Sequence, residues 1–350
     1  MTIRGIHHIT LVSTDAQRTL DFYTRVLGLR LVKKTVNFDD PGSYHLYFGG
    51  EAGQPGSVIT FFEWQDLPQG SPGIGGTHHF AMQVADQPGL LMWKRRLTDL
   101  GLNVAGPYNR RYFRSIYFRD PDGVILEIAT NGPGFAVDEL PHQLGQSYQP
   151  PAADTHDIQH LTWEEPVELI APEMSLRSGI HHISAISSDI HRTDAFYQGF
   201  LGMQMLKKTG NFDAPDMPHW YWGVDDGRPG SVITYFEYPK NGRRVRMGTG
   251  QTHHFALAVK DEETQLEWRE KMIRAGIPVS PVMDRVYFKS IYSRDPDGHI
   301  VELATEGPGF LVDEPVESLG QTLKLPPWLE ASRQQIERTL NPVQYSPETV

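Results

Sequence analysis

The chain has 350 residues, 39% hydrophobic, 11% aromatic and 21% charged, which suits two domains or a duplicated one and excludes disorder as its main state. A net charge of −11, with basic clusters that are short and scattered (Lys33-Lys34, Arg110-Arg111, Lys207-Lys208, Arg243 to Arg246), argues against a nucleic-acid partner. With no apolar stretch near the roughly 20 residues that span a bilayer and no signal-like start, a soluble cytoplasmic protein is expected, and the absence of Cys leaves only His, Asp and Glu to hold a metal. The basic clusters read as solvated strand ends and turn charges, apart from the arginine at 110.

The chain is written twice, and each half is itself double. The first half, 1–133, contains modules over 1–65 and 75–133. The first module opens on the alternating run Gly5-Ile-His-His-Ile-Thr10, continues as a helix over Asp15 to Leu27 and closes it with Gly28. The second starts at Thr77-His-His-Phe-Ala81, with a helix over Pro88 to Leu100, Gly101, and an Asp-Pro-Asp-Gly hairpin turn at 120. Residues 134–178, rich in Pro, Gln and Glu, form an ordered crossover linker. The second half, 179–308, repeats the first in modules over 179–239 and 250–308. Gly179 to Ser184 returns the opening phrase at an offset of 174, and Thr252 to Ala256 returns the second at 175. Their helices run from Ser188 to Leu201 and from Asp261 to Ala275, closed by Gly202 and Gly276, and Asp-Pro-Asp-Gly recurs at 295. The tail, 309–350, repeats Gly134 to Glu139 as Gly309 to Glu314 and carries a helix over Trp328 to Leu340 expected to dock on the body. Each module therefore reads as a strand, a helix and about three strands, an α+β architecture in two homologous halves.

The four His-His dyads, at 7, 78, 181 and 253, take eight of the 15 histidines. Neighbours on a strand point to opposite faces, so one member of each dyad looks into a given cavity. In the fourth module His254 shares its face with Thr252, Ala256 and Ala258, which leaves room for a metal and a substrate; the same parity selects His8, His79 and His182. Four residues past each Asp-Pro-Asp-Gly glycine stand Glu127 and Glu302, in apolar strands where a carboxylate is costly unless paired or ligated. The equivalent count in the other modules gives Thr60 and Thr234; Glu63 and Glu237, three further on, would face away. A pair of modules of the two kinds thus offers two His and one Glu. On Fe(II) that set leaves three positions free, enough for a bidentate substrate and dioxygen, although affinity order alone does not choose Fe over Mn or Zn. Arg285 and Tyr292, with their counterparts Arg110 and Tyr117, lie where an arginine would hold phenolate or peroxide charge and a tyrosine would relay a proton. Phe61, Phe62, Trp220 and Trp222 are candidates for the pocket wall, with core packing the stronger reading for each.

Paired histidines in four modules, Leu31-Val-Lys-Lys-Thr-Val-Asn37, Tyr44-His-Leu-Tyr-Phe-Gly49 and Asp295-Pro-Asp-Gly298 followed by Glu302 resemble the vicinal oxygen chelate superfamily. Within it they resemble the hydroquinone ring-cleaving dioxygenases. The resemblance implies βαβββ modules, non-haem Fe(II) with O2 as cosubstrate, a small aromatic substrate and an extradiol-type enzyme. It also implies one metal site made by the first module with the fourth. On this sequence the ligands would be His8, His254 and Glu302, with His7, Thr10, His253, Arg285 and Tyr292 around them. His7 and His253 conflict with the strand-face parity. The second constellation, His79, Glu127 and His182, is as complete as the first, and is either a hydrogen-bonded vestige or a second metal site. Sequential pairing, which would instead join His8 and His79 with Glu127 and His182 and His254 with Glu302, stays open, as does self-association. A glyoxalase-like isomerase or thiol transferase and a non-catalytic binding protein are the competing readings.

Overall fold

A computed structural model describes residues 1–345 and contains the four modules, each a strand, a helix and three further strands. The first has β1 (Ile6–Ser13), α1 (Ala16–Asp21) running into a wider turn over Phe22–Val26, β2 (Arg30–Asn37), β3 (Asp40–Gly49) and β4 (Val58–Glu63). The second has β5 (Thr77–Val84), α2 (Gln87–Asp99), β6 (Ala105–Asn109), β7 (Arg114–Arg119) and β8 (Ile125–Thr130). The third repeats the first with β9 (Ile180–Ser187), α3 (Ile190–Asp194) and its turn Ala195–Phe200, β10 (Gln204–Asn211), β11 (Ala214–Gly223) and β12 (Val232–Glu237). The fourth repeats the second with β13 (Thr252–Val259), α4 (Glu262–Arg274), β14 (Met283–Asp284), β15 (Lys289–Arg294) and β16 (Ile300–Thr305).

Each helix starts where an aspartate side chain accepts a backbone N–H of its first turn: Asp15, Asp86, Asp189 and Asp261. Glu63 and Glu237 do face away from the strand-centre positions, and they accept the N–H of Ala16 and Ile190 at 2.9 and 2.7 Å, tying each odd module's last strand to its helix.

The sheets settle the pairing of modules. One eight-stranded sheet runs β14-β15-β16-β13-β1-β4-β3-β2 and the other β10-β11-β12-β9-β5-β8-β7-β6. The first module therefore pairs with the fourth, and the second with the third; sequential pairing is overturned. Each sheet curls into a half-barrel joined at a central antiparallel seam, β1 with β13 and β9 with β5. Helices and the main apolar cluster, which includes Trp93, Trp222 and Trp268, lie on the convex side.

Two expectations need correction. Lys33 and Lys207 are not solvated strand-end charges: both are wholly buried. The repeated segment after each half covers them and supplies two carboxylates apiece, Asp313 and Glu314 to Lys33, Asp138 and Glu139 to Lys207. The tail helix is shorter than expected, α5 (Arg333–Thr339) after a single turn at Glu330–Ser332; Ile336 and Leu340 dock it on the main core. Among the described residues no helix is long and apolar enough to cross a membrane.

Candidate metal centre

The strand-face argument places one histidine of each dyad in the concave face, and the structure shows why the other lies beside it. Along the β1/β13 seam, Ile6 pairs with Leu257 but His8 with Ala256, and Thr10 pairs with His254 but Leu11 with Thr252. His7 and His253 are thus the extra residues of two β-bulges. A bulge breaks the strict alternation of side chains and re-aims them. The Nδ1 atoms of His7 and His8 come to 2.9 Å, those of His253 and His254 to 2.8 Å, and His253 lines the cavity with His254. The conflict between parity and the candidates His7 and His253 has this cause, because a bulge belongs to two paired strands and leaves no mark on one strand's periodicity; of the two, His253 lines the cavity and His7 bonds His8.

The bulges fix proton positions. The Nε2 of His7 lies 3.1 Å from the carbonyl of Thr305, which can only accept, so that nitrogen carries the proton. Burial, then the neighbouring His8, pushes the His7 pKa down to about 3, and the ring is neutral. Its bare Nδ1 accepts from His8, leaving the Nε2 lone pair of His8 aimed at the site centre. There it stands 3.4 Å from His254 Nε2 and 3.4 Å from Glu302 Oε2, while His254 Nε2 stands 2.9 Å from the same oxygen. All three residues are buried.

Glu302 lies opposite Tyr292 across the β15/β16 hairpin and beside Ala256 of β13. Its Oε1 accepts from Ser290; its buried Oε2 has no donor in hydrogen-bonding geometry. Two imidazole nitrogens and a carboxylate oxygen converging among buried residues form a donor set that fits a cation. Thr60 stands where a fourth carboxylate would close the set, since it pairs in register with Thr10 as Glu302 pairs with Ala256.

The cavity over this centre measures about 320 Å³. Arg285 Nε donates to the Tyr292 hydroxyl at 3.2 Å, and its Nη1 pairs with Asp39 at 3.0 Å. Thr10 Oγ1 is 3.0 Å from His254 Nε2 and starts a chain through Thr60 (3.0 Å), His45 (2.8 Å) and Tyr47 (2.9 Å). The chain ends where Tyr47 packs with Tyr287 and Phe310, and it orients groups at the cavity that His45 and Tyr47 line. His45 and Tyr47 were not singled out as site residues from sequence; the signal available was the return of His and Tyr at 219 and 221 within the same repeat. Of the aromatic candidates only Phe62 lines this cavity; Phe61 and Trp222 are core, and Trp220 packs against it.

The sequence profile of the Glyoxalase/Bleomycin resistance protein/Dioxygenase superfamily matches residues 5–128 and 179–303, most of the chain. The chain belongs to this superfamily. Among relatives in the superfamily, "Putative ring-cleaving dioxygenase MhqO" of Bacillus subtilis is 36% identical over 97% of this chain and 96% of its own. "Chlorohydroquinone/hydroquinone 1,2-dioxygenase" of Sphingobium indicum is 29% identical over 97% and 96%. A crystal structure of a "putative dioxygenase" from Bacillus subtilis superposes with a TM-score of 0.79, at 33% identity, over 98% of both chains.

The repeat of modules within this chain gives it a second constellation in the other half-barrel. His78 and His181 are the bulge residues of that seam, and their Nδ1 atoms lie 2.8 and 2.9 Å from those of His79 and His182. The Nε2 atoms of His79 and His182 stand 2.9 and 3.2 Å from Glu127 Oε2. Arg110 reaches the Tyr117 hydroxyl at 3.4 Å.

Proposed function

We propose that this chain is a ferrous-iron-dependent dioxygenase that opens the ring of a hydroquinone, methylated or halogenated, between a hydroxylated carbon and its neighbour. The observation that carries the reading is the donor count at His8, His254 and Glu302, two imidazoles and one carboxylate with a threonine in the fourth place. The resemblance to a ring-cleaving dioxygenase and to a chlorohydroquinone/hydroquinone 1,2-dioxygenase along nearly their whole length supports it. Iron held on one side by three side chains offers open positions for a substrate oxygen and O2 and a path for electrons between them.

The chain's own residues do the rest. Phe62, Trp64 and Phe288 wall the cavity and orient an aromatic ring while limiting water. Arg285 faces the hydroxyl end of the ring. Burial opposes its charge, but Tyr292, Asp39 and Glu302 raise its pKa above the usual value, so it stays a guanidinium and stabilises phenolate charge. Asp39 fixes its direction. Burial raises the Tyr292 pKa, so the phenol keeps its proton and donates a hydrogen bond. Thr10 and the His45 chain hold the polar rim in place. Tyr292 and His253 are the cavity-facing groups from which a proton reaches the product. Both atoms of O2 enter the ring-opened product, so the overall reaction draws on no external reductant.

The test is oxygen uptake by anaerobically Fe(II)-loaded protein given methylhydroquinone, with catechol and a glutathione hemithioacetal as parallel substrates. Uptake near about one O2 per hydroquinone, abolished by Glu302→Ala in a chain with unchanged circular dichroism, is the expected result. Iron-loaded protein that consumes no oxygen but isomerises the hemithioacetal would move the assignment to the glyoxalase-like class.

A further inference from the structure

We propose that His79, His182 and Glu127 bind a second divalent metal ion, and that the pocket above it takes an aromatic ligand with an anionic substituent. The metal assignment stands alone, whereas the aromatic class of the ligand rests on the reading given above for the first centre.

Glu127 is fully buried, and neither carboxylate oxygen has a donor in hydrogen-bonding geometry. The first centre at least gives Glu302 the Ser290 hydroxyl; here the counterpart, Ser115 Oγ, is itself buried without a partner. The polar neighbours of Glu127 are instead the Nε2 atoms of His79 and His182, at 2.9 and 3.2 Å from Oε2. A buried carboxylate is costly unless it is paired or ligated, and a cation between it and two imidazoles meets that need. The histidines are prepared for one. The Nδ1 atoms of His181 and His182 lie 2.9 Å apart, a contact that turns His182 Nε2 toward Glu127 Oε2 at 3.2 Å. Thr234, bonded to His219, takes the fourth position, so this centre is also open on one side.

The pocket differs from the first in how its arginine is paired. Arg285 is neutralised by Asp39 at 3.0 Å. The counterpart of Asp39 is Asp213, which also lines this pocket but is not paired with Arg110 and lies 4.0 Å from His156. Arg110 packs against the rings of Phe212, Tyr108 and Tyr117 at 4.7, 4.8 and 5.4 Å and has no carboxylate partner among the described residues. The cavity, about 410 Å³, is larger, and Ile125 and Tyr238 join its wall. A guanidinium left without a counter-ion beside an open metal position suits a ring whose substituent brings the missing negative charge.

Metal per chain, measured by mass spectrometry after anaerobic Fe(II) loading and desalting, tests the first part. Two ions are expected in the wild type, matching the two donor sets, with one lost in Glu302→Ala, the other in Glu127→Ala, and both in the double variant. His79→Gln serves as an independent probe if Glu127→Ala does not fold. A single ion that depends on Glu302 alone overturns the second site and leaves the first centre standing; a chain that holds no metal overturns both. For the ligand, Mn(II)-loaded Glu302→Ala protein is titrated with 2,5-dihydroxybenzoate and with methylhydroquinone by calorimetry. Arg110→Met should weaken the carboxylated probe by about tenfold or more and the uncharged one by less than about threefold. Equal weakening, or no binding of either probe, overturns the anionic class.

Discussion

Ser290 shows how much of the first centre depends on residues that hold the candidate ligands. Its hydroxyl takes one oxygen of Glu302, which leaves the other pointing at the imidazoles. His7 does the same work for His8 through a proton chain anchored on the Thr305 carbonyl. Groups of this kind set ligand orientation and basicity, and their loss commonly lowers metal affinity about 10- to 100-fold. Ser290→Ala should therefore weaken Fe(II) retention by about that factor, read by competition with a chelator, while leaving the fold intact. Unchanged retention would mean that the strand backbone alone aims Glu302. The candidates themselves were legible in the sequence, because His8, His254 and Glu302 follow from a count along strands. The roles of His7 and His253 were not, since the bulge that turns them toward their neighbours is defined only by the partner strand.

At the scale of elements, the repeated strap after each half locks a buried lysine that the other half of the chain contributes to the same half-barrel. Lys33 on β2 lies under the segment that ends in Asp313 and Glu314, and both Lys33 and Glu314 are almost wholly shielded from water. Breaking such a pair by removing one partner leaves a buried charge uncompensated, at a cost of about 3–5 kcal/mol. Lys33→Met should lower unfolding stability by that amount in urea titration. Adding Glu314→Leu should recover part of it, because the orphaned carboxylate is then gone. A loss below about 1 kcal/mol in the single variant would show that the strap carries no load at this point. The sequence displayed the Lys-Lys-Thr repeat and the Val-Asp-Glu repeat but not their contact, which joins residues 280 positions apart.

Across the whole molecule, the two Asp-Pro-Asp-Gly turns bind each half-barrel to the other. Asp122 takes Thr14 and Arg18, and Asp297 takes the backbone and hydroxyl of Ser188. Deeper in the seam, Tyr23 donates to Asp120 at 3.1 Å and Tyr235 to Asp295 at 2.7 Å. Burial raises these two carboxyls to about 7 and about 6, against the hydrogen bonds that favour their charge. A raised carboxyl binds its proton more tightly in the folded chain than in the unfolded one, where aspartate titrates near about 3.9. Its contribution to stability is full below that value and is lost as pH climbs through the folded value. Asp120 should therefore make the protein lose stability between about pH 4 and pH 7, by roughly 4 kcal/mol at 1.36 kcal/mol per unit. Urea midpoints across that window should show a shallower decline in Asp120→Asn than in the wild type; parallel profiles would place the charge of Asp120 outside the folding balance.

The sequence by itself determined what local periodicity and repetition can carry: the module count, strand and helix positions near their observed bounds, the histidine dyads, and the two strand glutamates. Each rests on residues within a few positions of one another, where side-chain alternation and helix capping act. Only the tertiary structure decided that the first module joins the fourth, that His7 and His253 sit on bulges, that Lys33 and Lys207 are buried, and that His45 and Tyr47 reach the cavity. Pairing His8 with His254 across 246 residues depends on which strand edges bury the most surface when the chain closes, and that choice is made between modules of nearly identical pattern.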